Sequence, residues 1–276
     1  MHRLRQSHFR IFCSALAGAV VVACSSNSDR PASTQSAIPE LPSQNYVQSS
    51  ELGGRVNYGA YDSSVWVSGD INNPNDPKRF QGSVNRYFGG DWLVVELDQQ
   101  TKHGMDTGIE SKFTLPNVSS LSENAIAGGK LTLENVEKAG NWWYGPKISV
   151  GWNNEGTKDG TDGWYENYII DAGAESPQQI HDLLTGDWYK GKLVATTTQD
   201  GSVYKHYLAP FNSWYQFWSI RQDYRMEGTT NIGKIVRVWL DHGLPDKKFD
   251  GVKMNIETHH PQKMNFTISD VVFDFE

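Results

Sequence analysis

From Tyr46 onward the chain is written in strand-length runs, and that spacing constrains its fold more than any other feature. Val65-Trp66-Val67, Trp92-Leu93-Val94-Val95-Glu96-Leu97, Lys130-Leu131-Thr132-Leu133, Lys147-Ile148-Ser149-Val150 and Val271-Val272-Phe273 are short apolar or alternating stretches. Turn signals separate them at Gly53-Gly54, Asn72-Asn73-Pro74, Gly89-Gly90, Gly128-Gly129 and Asp200-Gly201. Many short strands broken by such clusters predict an all-β, two-sheet sandwich or jelly roll. The 26 glycines and 10 tryptophans in 276 residues suit many turns and aromatic faces better than a helical bundle. One stretch departs from period two. Ile232, Ile235, Val236, Trp239 and Leu240 are spaced as one face of a helix, with Asn231 to cap its start and Gly243 to stop it. A single α-helix packed on a sheet is therefore expected.

The N-terminal part reads differently. Arg3, Arg5 and Arg10 precede a twelve-residue apolar run, Ile11 to Val22, which is too short to span a bilayer comfortably. The run ends in Val21-Val22-Ala23-Cys24, which resembles a bacterial lipobox. That resemblance implies a signal peptide over 1–23, acylation of Cys24 and, with Ser25 rather than Asp next, an outer-membrane lipoprotein anchored by its lipid. The alternative is an ordinary secretory cleavage site that contains a cysteine. Residues 24–45 are rich in Ser, Pro and Gln and poor in large apolar side chains, as in a flexible tether. A single domain, monomeric, is expected over 46–276.

Charge and cysteine content narrow the chemistry. With 32 acidic and 25 basic residues the net charge is −7, and no Lys/Arg cluster lies beyond the first ten residues, which argues against a nucleic-acid partner. Cys13 and Cys24 are the two cysteines, both in the leader region, so neither a disulfide framework nor a cysteine metal site is expected. Adjacent His259 and His260 would point to opposite strand faces, so no metal site is expected there either.

Local context singles out certain carboxylates. Alternation in Trp164-Tyr165-Glu166-Asn167-Tyr168 puts Trp164, Glu166 and Tyr168 on one face, a lone acid between aromatics. In Met254-Asn255-Ile256-Glu257-Thr258-His259, the residues Asn255, Glu257 and His259 share a face and Met254 and Ile256 take the other. Gln216-Phe217-Trp218-Ser219-Ile220-Arg221 adds amide, aromatic and guanidinium groups; Arg221, out of phase with Gln216, suits a structural ion pair. Trp218 and Trp239 read as core. Facing carboxylates on a concave aromatic sheet are what glycosidic-bond cleavage requires, and Trp or Tyr faces stack on sugar rings.

These motifs resemble glycoside hydrolase family 11, the jelly-roll endo-1,4-β-xylanases. Glu166-Asn167-Tyr168-Ile169-Ile170-Asp171 is similar to the family's nucleophile strand, E-Y-Y-I-V-[ED]. Tyr189-Lys190-Gly191 with Asp200-Gly201-Ser202-Val203-Tyr204, Gln216 to Gln222, and Trp239-Leu240-Asp241-His242-Gly243 follow in family order, and Asn255-Ile256-Glu257-Thr258 lies where the acid/base strand stands. The resemblance covers about 146–276. It implies a "partly closed hand" fold, a retaining endo-β-glycanase acting on β-1,4-xylan or a related polysaccharide, Glu166 as nucleophile, Glu257 as acid/base, and no metal or organic cofactor. It further implies that Tyr168 and Gln216 position the nucleophile and sugar, with Trp164 and Trp152 beside the substrate. The family's Y-G-W is here Val150-Gly151-Trp152, so a tyrosine that would contact the substrate is replaced. Only Leu208 to Phe217 stands where the family has its thumb loop, so a more open cleft is expected; Trp92, Trp142 and Trp143 are candidates for the cleft tryptophan.

Two other functions fit the same residues. One is a carbohydrate-binding jelly roll that keeps the groove without the chemistry. The other is a polysaccharide lyase, since Gln179-Ile180-His181 resembles a motif of jelly-roll alginate lyases, although the other signatures of that group are missing.

Overall fold

The computed structural model describes residues 45–102, 104–151, 165–187, 189–211 and 214–276. Two sheets face one another. The smaller has six strands in the order β1 (Val47–Ser49), β4 (Gly82–Phe88), β5 (Leu93–Gln99), β16 (Gln262–Asp274), β7 (Ile126–Lys138) and β14 (Glu227–Asn231). The larger runs β11 (Lys192–Gln199), β12 (Ser202–Phe211), β13 (Trp214–Arg221), β9 (Tyr165–Ile170), β8 (Asn141–Val150), β15 (Phe249–His259), β6 (Met105–Ser111), β3 (Tyr61–Val67) and β2 (Gly54–Tyr58), with β10 (Ala172–Gly173) paired to β8. All pairs are antiparallel except β13 with β9. This is the expected jelly-roll sandwich.

Alternation sorts each strand between core and surface. Phe88, Leu93, Val95, Phe266 and Ile268 of the smaller sheet meet Ile109, Ile148, Ile169, Met254 and Ile256 of the larger in one buried cluster. On β15 the predicted split holds: Met254 and Ile256 are buried in that core while Glu257 and His259 stand on the other face. The helix α2 (Ile232–Asp241) closes the core with Ile232, Ile235, Val236 and Trp239. Asn231 caps it by accepting from the Lys234 amide, and Gly243 follows at φ +104°.

Two expectations are corrected. Among the described residues there are two α-helices rather than one: α1 (Pro177–Thr185) follows a capping box in which Ser176 and Gln179 satisfy each other's backbone, with Pro at the first turn. Its Ile180 and Leu184, one turn apart, pack on Trp143, Tyr168, Ile170, Tyr207, Trp218 and Ile220. Neighbours of these residues, Tyr144, Ile169 and Phe217, belong to the inter-sheet core, so α1 covers the opposite, concave face of the larger sheet. The second correction concerns Gly128-Gly129, which lies inside β7 rather than in a turn. A β-carbon on Gly128 would collide with the Gly228 carbonyl of β14, so the pair marks close strand contact. Asp200-Gly201, by contrast, does form the turn between β11 and β12, at φ +52° and +79°.

Glycine also shapes the middle of the larger sheet. Asn255 is flanked in register by Gly145 on β8 and Gly108 on β6. A β-carbon at Gly108 would run into the Met254 carbonyl oxygen, and one at Gly145 into that of Ile169. At these two positions β6 and β15, and likewise β8 and β9, approach more closely than a side chain permits. Gly108→Ala is expected to destabilise the protein by about 1–3 kcal/mol, the cost of forcing backbone apart in a packed sheet. A denaturant midpoint unchanged from the parent protein would contradict this account of the close contact.

Candidate active site

The concave face holds a groove of about 970 Å³ whose lining includes Glu166, Tyr168, Gln216, Trp218, Trp143, Lys147, Asp106, Lys253 and Glu257. Four of the predicted site residues, Glu166, Tyr168, Gln216 and Glu257, therefore meet in one depression. Trp164 and Trp152 lie outside the described residues, as does Cys24.

Lys147 organises the floor. It sits on β8, level with Tyr168 on one side and Lys253 on the other. Its ammonium pairs with Glu166 and donates to Asp106 Oδ2 at 2.7 Å. Asp106 in turn pairs with Lys253, and Asn255, with its amide nitrogen facing inward, donates to Asp106 Oδ1 at 3.1 Å. The alternation of sign continues through Lys253 and Glu110 at 3.8 Å, Arg55 and Glu110 at 2.6 Å, Arg55 and Asp62 at 3.1 Å, and Lys112 and Asp62 at 3.0 Å. Burial alone would favour the neutral forms of Asp106 and Lys147. Burial raises the Asp106 carboxyl, but Lys147 and Lys253 more than offset it and hold it at about 2. Burial likewise opposes charge on Lys147, yet Asp106, Glu166 and Glu257 together raise it above the ordinary lysine range.

The two glutamates differ in their surroundings. Burial pushes the Glu166 carboxyl up from its ordinary range, with Lys147 pulling part of the way back and Asp106 and Glu257 adding repulsion. Its Oε1 takes Lys147 and its Oε2 accepts from the Tyr168 hydroxyl at 3.2 Å. Glu257 Oε1 lies 3.1 Å from His259 Nε2, while Oε2 is buried with no hydrogen-bond partner among the described residues. Tyr168 senses both acids: burial first, then Glu166 and Glu257, push its hydroxyl pKa well above the usual value. Its ring stacks on Trp218 at 4.4 Å between centroids, and Trp218 Nε1 donates to Gln216 Oε1 at 3.3 Å. The rigid aromatic stack orients both polar groups.

Several details depart from expectation. Val150, aligned with the family's substrate tyrosine, is fully buried in the inter-sheet core; the groove-lining side chain beside it is Ser149, in register with Glu166. Of the candidate tryptophans, Trp143 lines the groove, Trp142 belongs to the core, and Trp92 packs with Tyr87 and Val94 elsewhere. Sequence reasoning missed Trp66, a groove-lining side chain that is 57% exposed, although its strand had been recognised. It also missed Lys147, Asp106 and Lys253, whose pairing depends on strands far apart in sequence. Arg221 is buried and bonded to the Tyr204 hydroxyl at 2.9 Å and the Asp223 carboxylate at 3.3 Å, the structural role expected of it. Trp239 is fully buried, donating to Ser219 Oγ at 2.9 Å. The β12–β13 ladder runs without interruption from Tyr204↔Arg221 to Phe211↔Trp214, so Leu208 to Phe211 and Trp214 to Phe217 are paired strand. Among the described residues, no group of three or more His, Cys, Asp or Glu side chains is placed to hold a metal.

Replacing Lys147 by Met would strand Glu166 as a buried anion and leave Asp106 with Lys253 as its one cation. The expected loss near neutral pH is about 3–5 kcal/mol. That deficit narrows on acidification, because protonating Glu166 removes the orphaned charge. In the unaltered protein the sign is reversed for Asp106, whose contribution is complete above the ordinary carboxylate range and disappears as pH falls through about 2. Urea unfolding of both proteins at pH 7.5 and 4 checks this, and a deficit independent of pH would refute it.

No protein-family model matches the chain. Solved structures do share its fold. The family 11 xylanase from Neocallimastix patriciarum superposes with a TM-score of 0.57 at 15% identity, over 83% of this chain and 100% of that one. A mutant of ENZbleach xylanase gives 0.61 at 18% identity, over 83% and 86%. The xyloglucanase domain of NopAA, a type three effector from Sinorhizobium fredii solved with cellobiose, gives 0.57 at 13%, over 83% and 99%. The architecture is thus that of the xylanase-like jelly roll, the fold of several glycoside hydrolases.

Proposed function

We propose that this protein is a retaining endo-β-glycanase that hydrolyses β-1,4-xylan or a related β-1,4-linked polysaccharide. One observation carries the reading: Glu166 and Glu257, 91 positions apart in the chain, line the same aromatic-walled groove and act on one tyrosine, Tyr168. In the proposed reaction Glu166 attacks the anomeric carbon and forms a glycosyl-enzyme, while Glu257 protonates the departing glycosidic oxygen. Glu257 then takes a proton from water, which attacks the same carbon and releases Glu166. Lys147 offsets part of the burial that favours the neutral form of Glu166, and Tyr168 fixes the oxygen that Lys147 leaves. Trp66 and Tyr189 supply faces for sugar rings.

The competing function is glycan capture without hydrolysis. It draws support from the commitment of both Glu166 oxygens to protein partners and from the fully paired β12–β13 hairpin beside the groove. A reducing-sugar assay on β-1,4-xylan, xyloglucan and mixed-linkage glucan separates the two. Hydrolysis with Glu166→Gln and Glu257→Gln each lowering kcat by about 100-fold or more supports the two-acid mechanism. Binding with no product, or two variants as active as the parent, overturns it.

The leader extends the proposal to location: an outer-membrane lipoprotein held by acylated Cys24. Labelling of cells with a radioactive fatty acid should mark the parent protein and not Cys24→Ala. Equal labelling of the two would refute anchorage at this residue.

A further inference from the structure

Glu257 Oε2 is buried, and the Tyr168 hydroxyl close to this carboxyl already donates to Glu166. A buried carboxylate oxygen without a donor is costly, and most such oxygens are satisfied. Its companion Oε1 is satisfied by His259, two residues on along β15 and on the same face. The imidazole is held from both sides. It lies against the Trp143 ring, at 4.6 Å between centroids and 35° between planes. On another side the backbone at Gly104 crowds it, since a β-carbon there would come within 3.2 Å of Cε1 and Nδ1. Asp106, which faces Glu257 in register across β6, is unavailable as a partner because Lys147, Lys253 and Asn255 occupy its carboxylate.

We propose that His259 is a positioning residue for the acid/base. This rests on the glycanase reading above. Its Nε2–H donates to Glu257 Oε1, whether the carboxyl is ionised or neutral, and thereby fixes the orientation of the carboxyl beside the groove. A carboxyl free to turn would spend part of its time misaligned with the leaving group; the fixed donor removes the unproductive orientations. In turn Glu257 locks His259 in the Nε2–H tautomer, leaving Nδ1 unprotonated in the neutral ring.

Two measurements test this. The first compares His259→Phe, which keeps a ring against Trp143 but has no donor, with His259→Gln, whose amide can donate from nearly the same place. His259→Phe should lower kcat about 10- to 100-fold with KM little changed, and His259→Gln should restore most of it. Parent-like kcat in His259→Phe, or equal loss in both variants, overturns the proposal. The second is the imidazole ¹⁵N spectrum at pH 8, assigned with the His259 variants. It should show the Nε2–H tautomer in the parent protein and a mixture in Glu257→Leu. An unchanged tautomer in Glu257→Leu also overturns the proposal. If the parent protein hydrolyses none of the three glycans, the glycanase reading fails, and the nitrogen spectrum still decides whether the pair exists.

Discussion

A lysine can stay charged in a protein interior when anions surround it, and that requirement shapes the groove around Lys147. Its ammonium joins Glu166 on β9 to Asp106 on β6, with Lys253 of β15 on the far side of Asp106. Four strands of the larger sheet are tied through side chains as well as through their ladders. Such pairs contribute little net stability, because desolvation consumes much of the Coulombic gain. What they provide is position. Glu166 is held at a fixed height above the floor, and the same charge that steadies it offsets part of the burial that would neutralise it.

The aromatic layer acts on the neutral parts of the site. Tyr168, Trp218 and Trp143 belong to the small cluster roofed by α1, so their rings are set by packing rather than by contact with a ligand. Polar atoms borrow that rigidity: the Tyr168 hydroxyl toward Glu166, the Trp218 indole toward Gln216, the Trp143 face beneath His259. Preorganisation of this kind is where a glycoside-cleaving site gains its rate, since donors already aimed need not be reoriented during reaction.

Much of the fold was legible in the sequence because period-two alternation is a local property. The facing of Met254 and Ile256 against Glu257 and His259 needed only six letters. The second helix was missed although its signal was present in Ser176-Pro177-Gln178-Gln179, a capping box followed by two apolar residues one turn apart. Gly128-Gly129 misled because glycine marks both turns and crowded strands, and the Gly228 carbonyl that distinguishes them arrives from 100 positions away. The charge network was not legible for the same reason. Lys147 and Asp106 are 41 residues apart, Lys253 and Asp106 are 147 apart, and no spacing rule connects them.

The glycines beside Asn255 bear on how such a protein changes over generations. A strand contact that depends on missing β-carbons has no intermediate settings: each site either has the atom or lacks it. The contact should therefore be inherited unchanged or lost outright, while exposed residues that line the groove, such as Trp66 and Arg55, can drift one at a time.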